Sequence, residues 1–255
     1  MRIPVSAAGN AETEEKAAAL AEKLSAPLIR DLSELPEEEL VLCFEDEGLS
    51  LRSGGLTVRA DFSKLLPRVR NGMWRKEALI KAAKIKNPAA AHLAVDMTAG
   101  FGEDAFLLAA GGSRVLLFEK DPVIAALLRD AIERAAGDAA LREITGRMIL
   151  TEEDSIEGIR SLTESPDIVY LDPMFPERKK SALIKKKFQL LQKLERPEMN
   201  EEALLQAALS LKPAKVIIKR PAKGPYLSGR KPDYTIPGAS VRFDCILGGK
   251  HESID

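Results

Sequence analysis

From Leu93 onward, short apolar runs alternate with longer amphipathic stretches at a regular spacing. Strand-like runs fall at Leu93–Asp96, Arg114–Glu119, Arg147–Leu150, Asp167–Leu171 and Ala214–Ile218. Helical patterns lie between them at 103–111, 122–136 and 155–163, and in two segments within 182–211. Apolar strands separated by helices predict a mostly parallel sheet covered on both faces. The stretch Tyr234–Gly248 has two strand-like halves around Pro237-Gly238 and no helix between them, which predicts a closing antiparallel hairpin. The beginning of the chain follows another pattern. A helix is predicted over Glu12–Ser25, acidic in its first turn, followed by strands at Pro27–Arg30, Leu40–Phe44, Leu49–Arg52 and Leu56–Ala60. The pattern changes around 65–72, and Trp74–Ile85 reads as a helix. The expected organisation is a small N-terminal α+β unit over 1–65 and a larger α/β domain over 66–255.

With 255 residues and 45% hydrophobic positions, the chain can build a sizeable core, and wholesale disorder is excluded. No apolar run approaches the roughly 20 residues of a membrane-spanning helix, and Met1-Arg2-Ile3-Pro4 does not open a secretory signal. Cys43, Cys245, His92 and His251 are too few and too scattered for a zinc site or a disulfide framework. These features point to a reducing cytoplasm, no metal and no membrane. The net charge of −1 conceals a polarity, with −8 over residues 1–50, −2 over 51–177 and +11 over 178–250. Such asymmetry suggests an anionic partner for the later stretch.

Three motifs carry candidate chemistry. Val95-Asp96-Met97-Thr98-Ala99-Gly100-Phe101-Gly102-Glu103-Asp104 places a Gly-x-Gly between strand and helix, where Gly100 and Gly102 allow a tight turn and close approach of a ligand. Gly100, Gly102 and Ala105 also satisfy the dinucleotide fingerprint. Asp96 beside that loop separates the options: its carboxylate would repel a pyrophosphate and attract a sulfonium and an ammonium, favouring S-adenosylmethionine over NAD. Glu119 ends the second strand, 17 residues after Gly102, where a carboxylate can accept both hydroxyls of a ribose. Asp172-Pro173-Met174-Phe175-Pro176 follows a buried strand. It resembles the Asp/Asn-Pro-Pro-Tyr/Phe loop of methyltransferases acting on exocyclic amines of nucleobases. There, acceptors orient a weakly nucleophilic amine and an aromatic ring stacks on the extruded base.

From about Arg75 to Gly249 the chain resembles the bacterial 16S ribosomal RNA (guanine-N2)-methyltransferase J family, through VDMTAGFGEDAFLLA (95–109), LFEKDPVIAALL (117–128), VYLDPMFPERKKSALIKKK (169–187), VIIKRP (216–221) and VRFDCILGG (241–249). The resemblance implies a class I methyltransferase, a Rossmann-like seven-stranded mostly parallel sheet with the last strand reversed. It implies S-adenosylmethionine as cofactor, with contacts at Glu103, Asp104, Glu119, Lys120, Asp154, Ser155 and Asp172. The family usually has a basic residue where Glu103 stands and two small hydroxyl residues where Asp154-Ser155 stand, and its glycine-rich segment before the Arg75 helix is reduced here to Asn71-Gly72. The implied substrate is the 1516 guanosine of 16S ribosomal RNA, naked or in the small ribosomal subunit.

Asp172, Pro173 and Phe175 are then the expected catalytic loop, and Arg178, Lys179, Lys180, Lys185, Lys186 and Lys187 the expected RNA contacts. With no histidine near the motif and an ordinary carboxylate pKa of about 4, Asp172 is expected to orient the amine and not to act as a strong base. Two other readings stand beside this one. An NAD-dependent oxidoreductase lacks an evident catalytic His or Tyr-x-x-x-Lys, and a non-catalytic RNA-binding assembly protein would not need Asp96, Glu119 and Asp172 intact.

Overall fold

The computed structural model describes residues 2–8, 10–84, 92–173, 190, 194 and 200–248. Phe175, Arg178, Lys179, Lys180, Lys185, Lys186 and Lys187 lie outside the described residues, as does most of the first helical segment expected within 182–211. The chain divides into two compact units, one of Met1–Asp61, Asp121–Arg134 and Pro176–Arg196, the other of Phe62–Lys120, Ala135–Phe175 and Pro197–Asp255.

The first unit carries a five-stranded sheet in the order β2 (Leu28–Ile29), β1 (Val5–Ala7), β3 (Val41–Glu45), β4 (Gly48–Ser53), β5 (Leu56–Val58). β1 runs parallel to both neighbours, and β3, β4 and β5 form an antiparallel meander. Helix α1 (Ala11–Lys23) starts at Asn10, whose side-chain oxygen accepts from the Thr13 N–H at 3.1 Å. Its buried stripe, Thr13, Ala17 and Ala21, recurs every four residues and is built of small side chains. Asp130 and Arg134 also belong here: Asp130 accepts from the Leu49 N–H at 3.0 Å, and Arg134 donates to the Ala60 carbonyl at 2.6 Å.

The second unit is built on a seven-stranded sheet in the order β11 (Tyr234–Pro237), β12 (Val241–Leu247), β10 (Lys215–Pro221), β9 (Ile168–Leu171), β6 (Leu93–Asp96), β7 (Arg114–Phe118), β8 (Met148–Thr151). The strands from β10 to β8 are parallel, and β12 is antiparallel to both β10 and β11. This is the expected α/β class with its closing hairpin. The central strands lie between buried layers, which is why they read as unbroken apolar runs: Val95, Val169, Leu171, Val216 and Ile218 share one core with Leu204, Leu205 and Ala208 of the helix Glu201–Ser210.

Helices α2 (Leu66–Val69), α3 (Ala78–Ala83), α4 (Glu103–Ala110), α5 (Pro122–Gly137), α6 (Arg142–Thr145), α7 (Ser155–Gly158) and α8 (Glu201–Ser210) follow. Two expectations need correction. The helix expected from Trp74 begins at Ala78, because Asn71 and Gly72 take left-handed conformations, Arg70–Lys76 winds as 3-10 turns and Glu77 is extended. The strand expected to stop at Ile218 continues to Pro221, carrying Lys219 and Arg220. In order 9-6-7, β6 lies between strands that lead in opposite directions across the sheet, so the carboxyl ends of β6 and β9 form the switch-point crevice where α/β sheets bind ligands.

Candidate active site

The turn after β6 is stitched to both neighbouring strands. The Met97 N–H donates to the Tyr170 carbonyl at 3.1 Å and the Ala99 N–H to the Phe118 carbonyl at 3.0 Å. Gly100 (φ 54°) and Gly102 (φ 71°) supply left-handed positions that other residues adopt at a cost of about 1–2 kcal/mol. Among the described residues a Cβ added at Gly100 would meet no atom within 4 Å, so the constraint there is conformational. Glu119 reaches over from the end of β7, and its Oε2 accepts from the Gly100 N–H at 2.8 Å. The expected ribose acceptor is thus tied to the glycine turn by one oxygen.

Among the described residues, the crevice gathers the carboxylates of Asp96, Asp104 and Asp172 about the Lys219 ammonium. Asp96 is fully buried, and its Oδ1 accepts from the Thr98 N–H at 3.0 Å. Burial pushes its pKa well above the usual carboxylate range, and Asp104 and Asp172 push it in the same direction. Thr98 also receives the Asp172 N–H on its Oγ1 at 2.6 Å, locking the chain where β9 enters the motif. Lys219, arriving on β10, donates from Nζ to Asp104 Oδ2 at 2.6 Å and to Asp172 Oδ2 at 2.8 Å. The buried Tyr170 hydroxyl donates to the same Asp104 oxygen at 2.6 Å. Burial would lower the Lys219 pKa, but the two carboxylates overcome it and raise the value.

Asp172 differs from its sequence expectation. Its pKa is raised by burial, with Lys219 pulling it down and Asp104 pushing it up. Of the remaining expected contacts, Glu103 is exposed at the start of α4 while Asp104 turns into the crevice. Asp154 caps α7 by accepting the Ile156 N–H at 2.9 Å, with Lys120 Nζ 3.6 Å from its Oδ2, and Ser155 is buried beside it. Pro173 is buried next to Asp172. Lys219, Tyr170 and Thr98 are not among the residues the sequence motifs single out. The available signal is a lysine and an arginine embedded at the end of the apolar run Val216-Ile217-Ile218.

Among the described residues, the excess of carboxylate over ammonium beside the glycine turn fits a ligand that carries positive charge, as S-adenosylmethionine does on its sulfonium and amino groups. Comparison with known proteins agrees. Residues 28–247 match the family model described as putative SAM-dependent methyltransferase. The ribosomal RNA small subunit methyltransferase J of Thioalkalivibrio sulfidiphilus is 40% identical over 243 residues, 92% of this chain and 94% of the relative. That of Pseudomonas aeruginosa strain UCBPP-PA14 is 39% identical over 242 residues, 92% and 91% of the two chains. The solved SAM-dependent methyltransferase NGO1261 of Neisseria gonorrhoeae superposes with a TM-score of 0.73 at 29% identity, covering 98% of this chain and 97% of its own. With a class I methyltransferase sheet, an acid-rich switch-point crevice and these relatives, the chain belongs to the SAM-dependent methyltransferases and, within them, to the ribosomal RNA small subunit methyltransferase J family.

Proposed function

We propose that this protein methylates the exocyclic N2 of a guanosine in 16S ribosomal RNA, the 1516 guanosine by family resemblance, acting in the cytoplasm on the RNA or on the small ribosomal subunit. The observation that carries the reading is Asp172 at the end of β9, its backbone pinned by Thr98 and its carboxylate by Lys219, beside the glycine turn. Bound S-adenosylmethionine supplies an electrophilic methyl on sulfonium sulfur. Asp96, Gly100, Gly102 and Asp104 line the side that takes its cationic end, Glu119 with Lys120 the ribose, and Asp154-Ser155 the adenine.

The lone pair of a guanine amine is delocalised into the ring, so the protein's task is orientation. Asp172 accepts one N–H of the amine, and the loop that continues through Pro173 to Phe175 holds the base. As the nitrogen–carbon bond forms and the carbon–sulfur bond breaks, the nitrogen becomes acidic and releases a proton to water or to a weak acceptor. Lys219 counters the rise that burial and Asp104 impose on the Asp172 carboxyl, and fixes it in place. The division of the chain into an N-terminal unit over 1–65 and a methyltransferase domain over 66–255 belongs to the same reading.

Tritium transfer from labelled S-adenosylmethionine to unmethylated small subunits and to naked 16S RNA, with nucleoside analysis, tests the proposal. N2-methylguanosine is the expected product, and its absence from both substrates removes the reading. Glu119→Ala is expected to weaken S-adenosylhomocysteine binding by about 1.5–3 kcal/mol, the scale of hydrogen bonds to a charged group. Calorimetry checks this, and an unchanged affinity would remove Glu119 from the cofactor site. Exchanging Lys179, Lys180, Lys185, Lys186 and Lys187 for serine is expected to lower the salt slope of RNA binding by about 0.7–0.9 for each phosphate no longer neutralised, leaving cofactor affinity unmoved.

A further inference from the structure

The summed charge of residues 51–177 hides a local cluster. Between Phe62 and Lys76 there are five cations, Lys64, Arg68, Arg70, Arg75 and Lys76, and no acid. Arg68 is used internally, its Nε and Nη2 forked on the Glu77 carboxylate at 2.9 and 2.8 Å. Arg70, Arg75 and Lys76 are exposed. Between them the chain turns through two consecutive left-handed residues, Asn71 (φ 54°) and Gly72 (φ 73°). Asparagine and glycine are the residues that adopt this conformation most readily, so the pair sets a tight turn between the cations. It presents Met73, 41% exposed, and the half-buried Trp74, whose ring lies 4.4 Å beneath the Arg75 guanidinium.

The segment that leads into this turn packs on α4, the helix that carries Asp104. Phe62, at the root of the segment, stacks on Phe106 of α4 with ring centroids 4.9 Å apart. A cation-rich turn with an indole and a guanidinium in one stack has the parts by which proteins hold single-stranded nucleic acid: phosphate neutralisation and a flat face for a base. A solvated basic face does not need the indole–guanidinium stack.

We propose that the Arg70–Lys76 turn grips the RNA strand flanking the target guanosine, with Arg70, Arg75 and Lys76 on phosphates and Trp74 under a neighbouring base. The inference rests on the reading of RNA as substrate and adds an RNA-binding element that precedes the crevice motifs in the chain, separate in sequence from the 178–187 stretch.

Trp74 is the only tryptophan of the chain, so its fluorescence reports on this turn alone. Full-length protein saturated with S-adenosylhomocysteine is titrated with unmethylated 16S RNA at several salt concentrations. Emission is expected to fall along the same isotherm as RNA retention on filters. The exposed triple variant Arg70→Ser, Arg75→Ser, Lys76→Ser should reduce the magnitude of the salt slope by about 2, about 0.7 for each single-strand phosphate that no longer has a cation. Its affinity for S-adenosylhomocysteine should match wild type. A wild-type slope in the variant, emission unmoved by bound RNA, or quenching by anionic vesicles without quenching by RNA overturns the proposal. Wild-type protein that neither retains RNA nor transfers tritium to it overturns the substrate reading instead, whereas RNA retention and transfer with an unaltered slope overturns the role of the turn alone.

Discussion

Asp172→Ala is expected to lower methyl transfer by about two to three orders of magnitude at saturating cofactor and RNA, the scale of losing a transition-state hydrogen-bond partner. The side chain is replaced at a point where the backbone is held independently, since the Asp172 N–H still donates to Thr98 Oγ1. The strand end therefore keeps its place while the amine loses its acceptor. Lys219 retains Asp104, so the variant does not leave an unpaired buried ammonium. The effect should fall on turnover and leave RNA affinity nearly unchanged, because an acceptor that aligns the amine acts in the transition state more than in the ground state. Single-turnover rates with labelled cofactor measure it. A rate within threefold of wild type would mean that the loop is structural and that the base is oriented by other groups.

Much of this site is legible in the sequence. Asp96, Glu119 and Asp172 each close or follow a short apolar run, and a polar residue at the end of a buried parallel strand falls at the sheet edge where ligands bind. The alternation of those runs with helices also suffices for the α/β class, since the central strands β6, β9 and β10 are buried over nearly their whole length. What escapes depends on distance along the chain. Lys219 finds its partners 115 and 47 residues away, and no local pattern reports such pairing. Its strand reads as ending at Ile218 because two cations interrupt the apolar run, yet Arg220 is fully buried and donates to the Pro225 carbonyl at 2.9 Å. β1 escapes for the opposite reason: Val-Ser-Ala is too short to show a period, and the buried Ser6 breaks its apolar character. The start expected for the Trp74 helix is too early because helix propensity ignores the left-handed pair before it.

The lysine that local pattern cannot report leads to the second large effect. Lys219→Met is expected to slow methyl transfer at neutral pH by about tenfold or more and to move the acid limb of the rate profile upward. The direction follows from the charges that face Asp172: Lys219 and Arg220 on β10 lower its pKa, while burial and Asp104 raise it. Removing the lysine leaves the raising influences less opposed, so the carboxyl protonates at higher pH. A protonated Asp172 is a poorer acceptor for the amine, and the rate falls as pH drops through that value. A charged hydrogen bond is worth about 1.5–3 kcal/mol, or about one to two pH units. Asp172 keeps 37% of its side chain exposed, so solvent screening reduces the displacement without changing its direction. Stability should respond with matching sign. Without the ammonium, Asp104 and Asp172 face each other as like charges, so the loss of melting temperature against wild type is greatest at high pH and shrinks at lower pH as Asp172, its pKa already raised, takes up its proton. Lys219→Arg restores the charge but not the geometry: the acid limb should return close to the wild-type position while the rate recovers only in part. An acid limb that stays in place in Lys219→Met, with the fold intact by circular dichroism, would show that Asp172 owes its ionisation to other groups and that Lys219 only fills space between the strands.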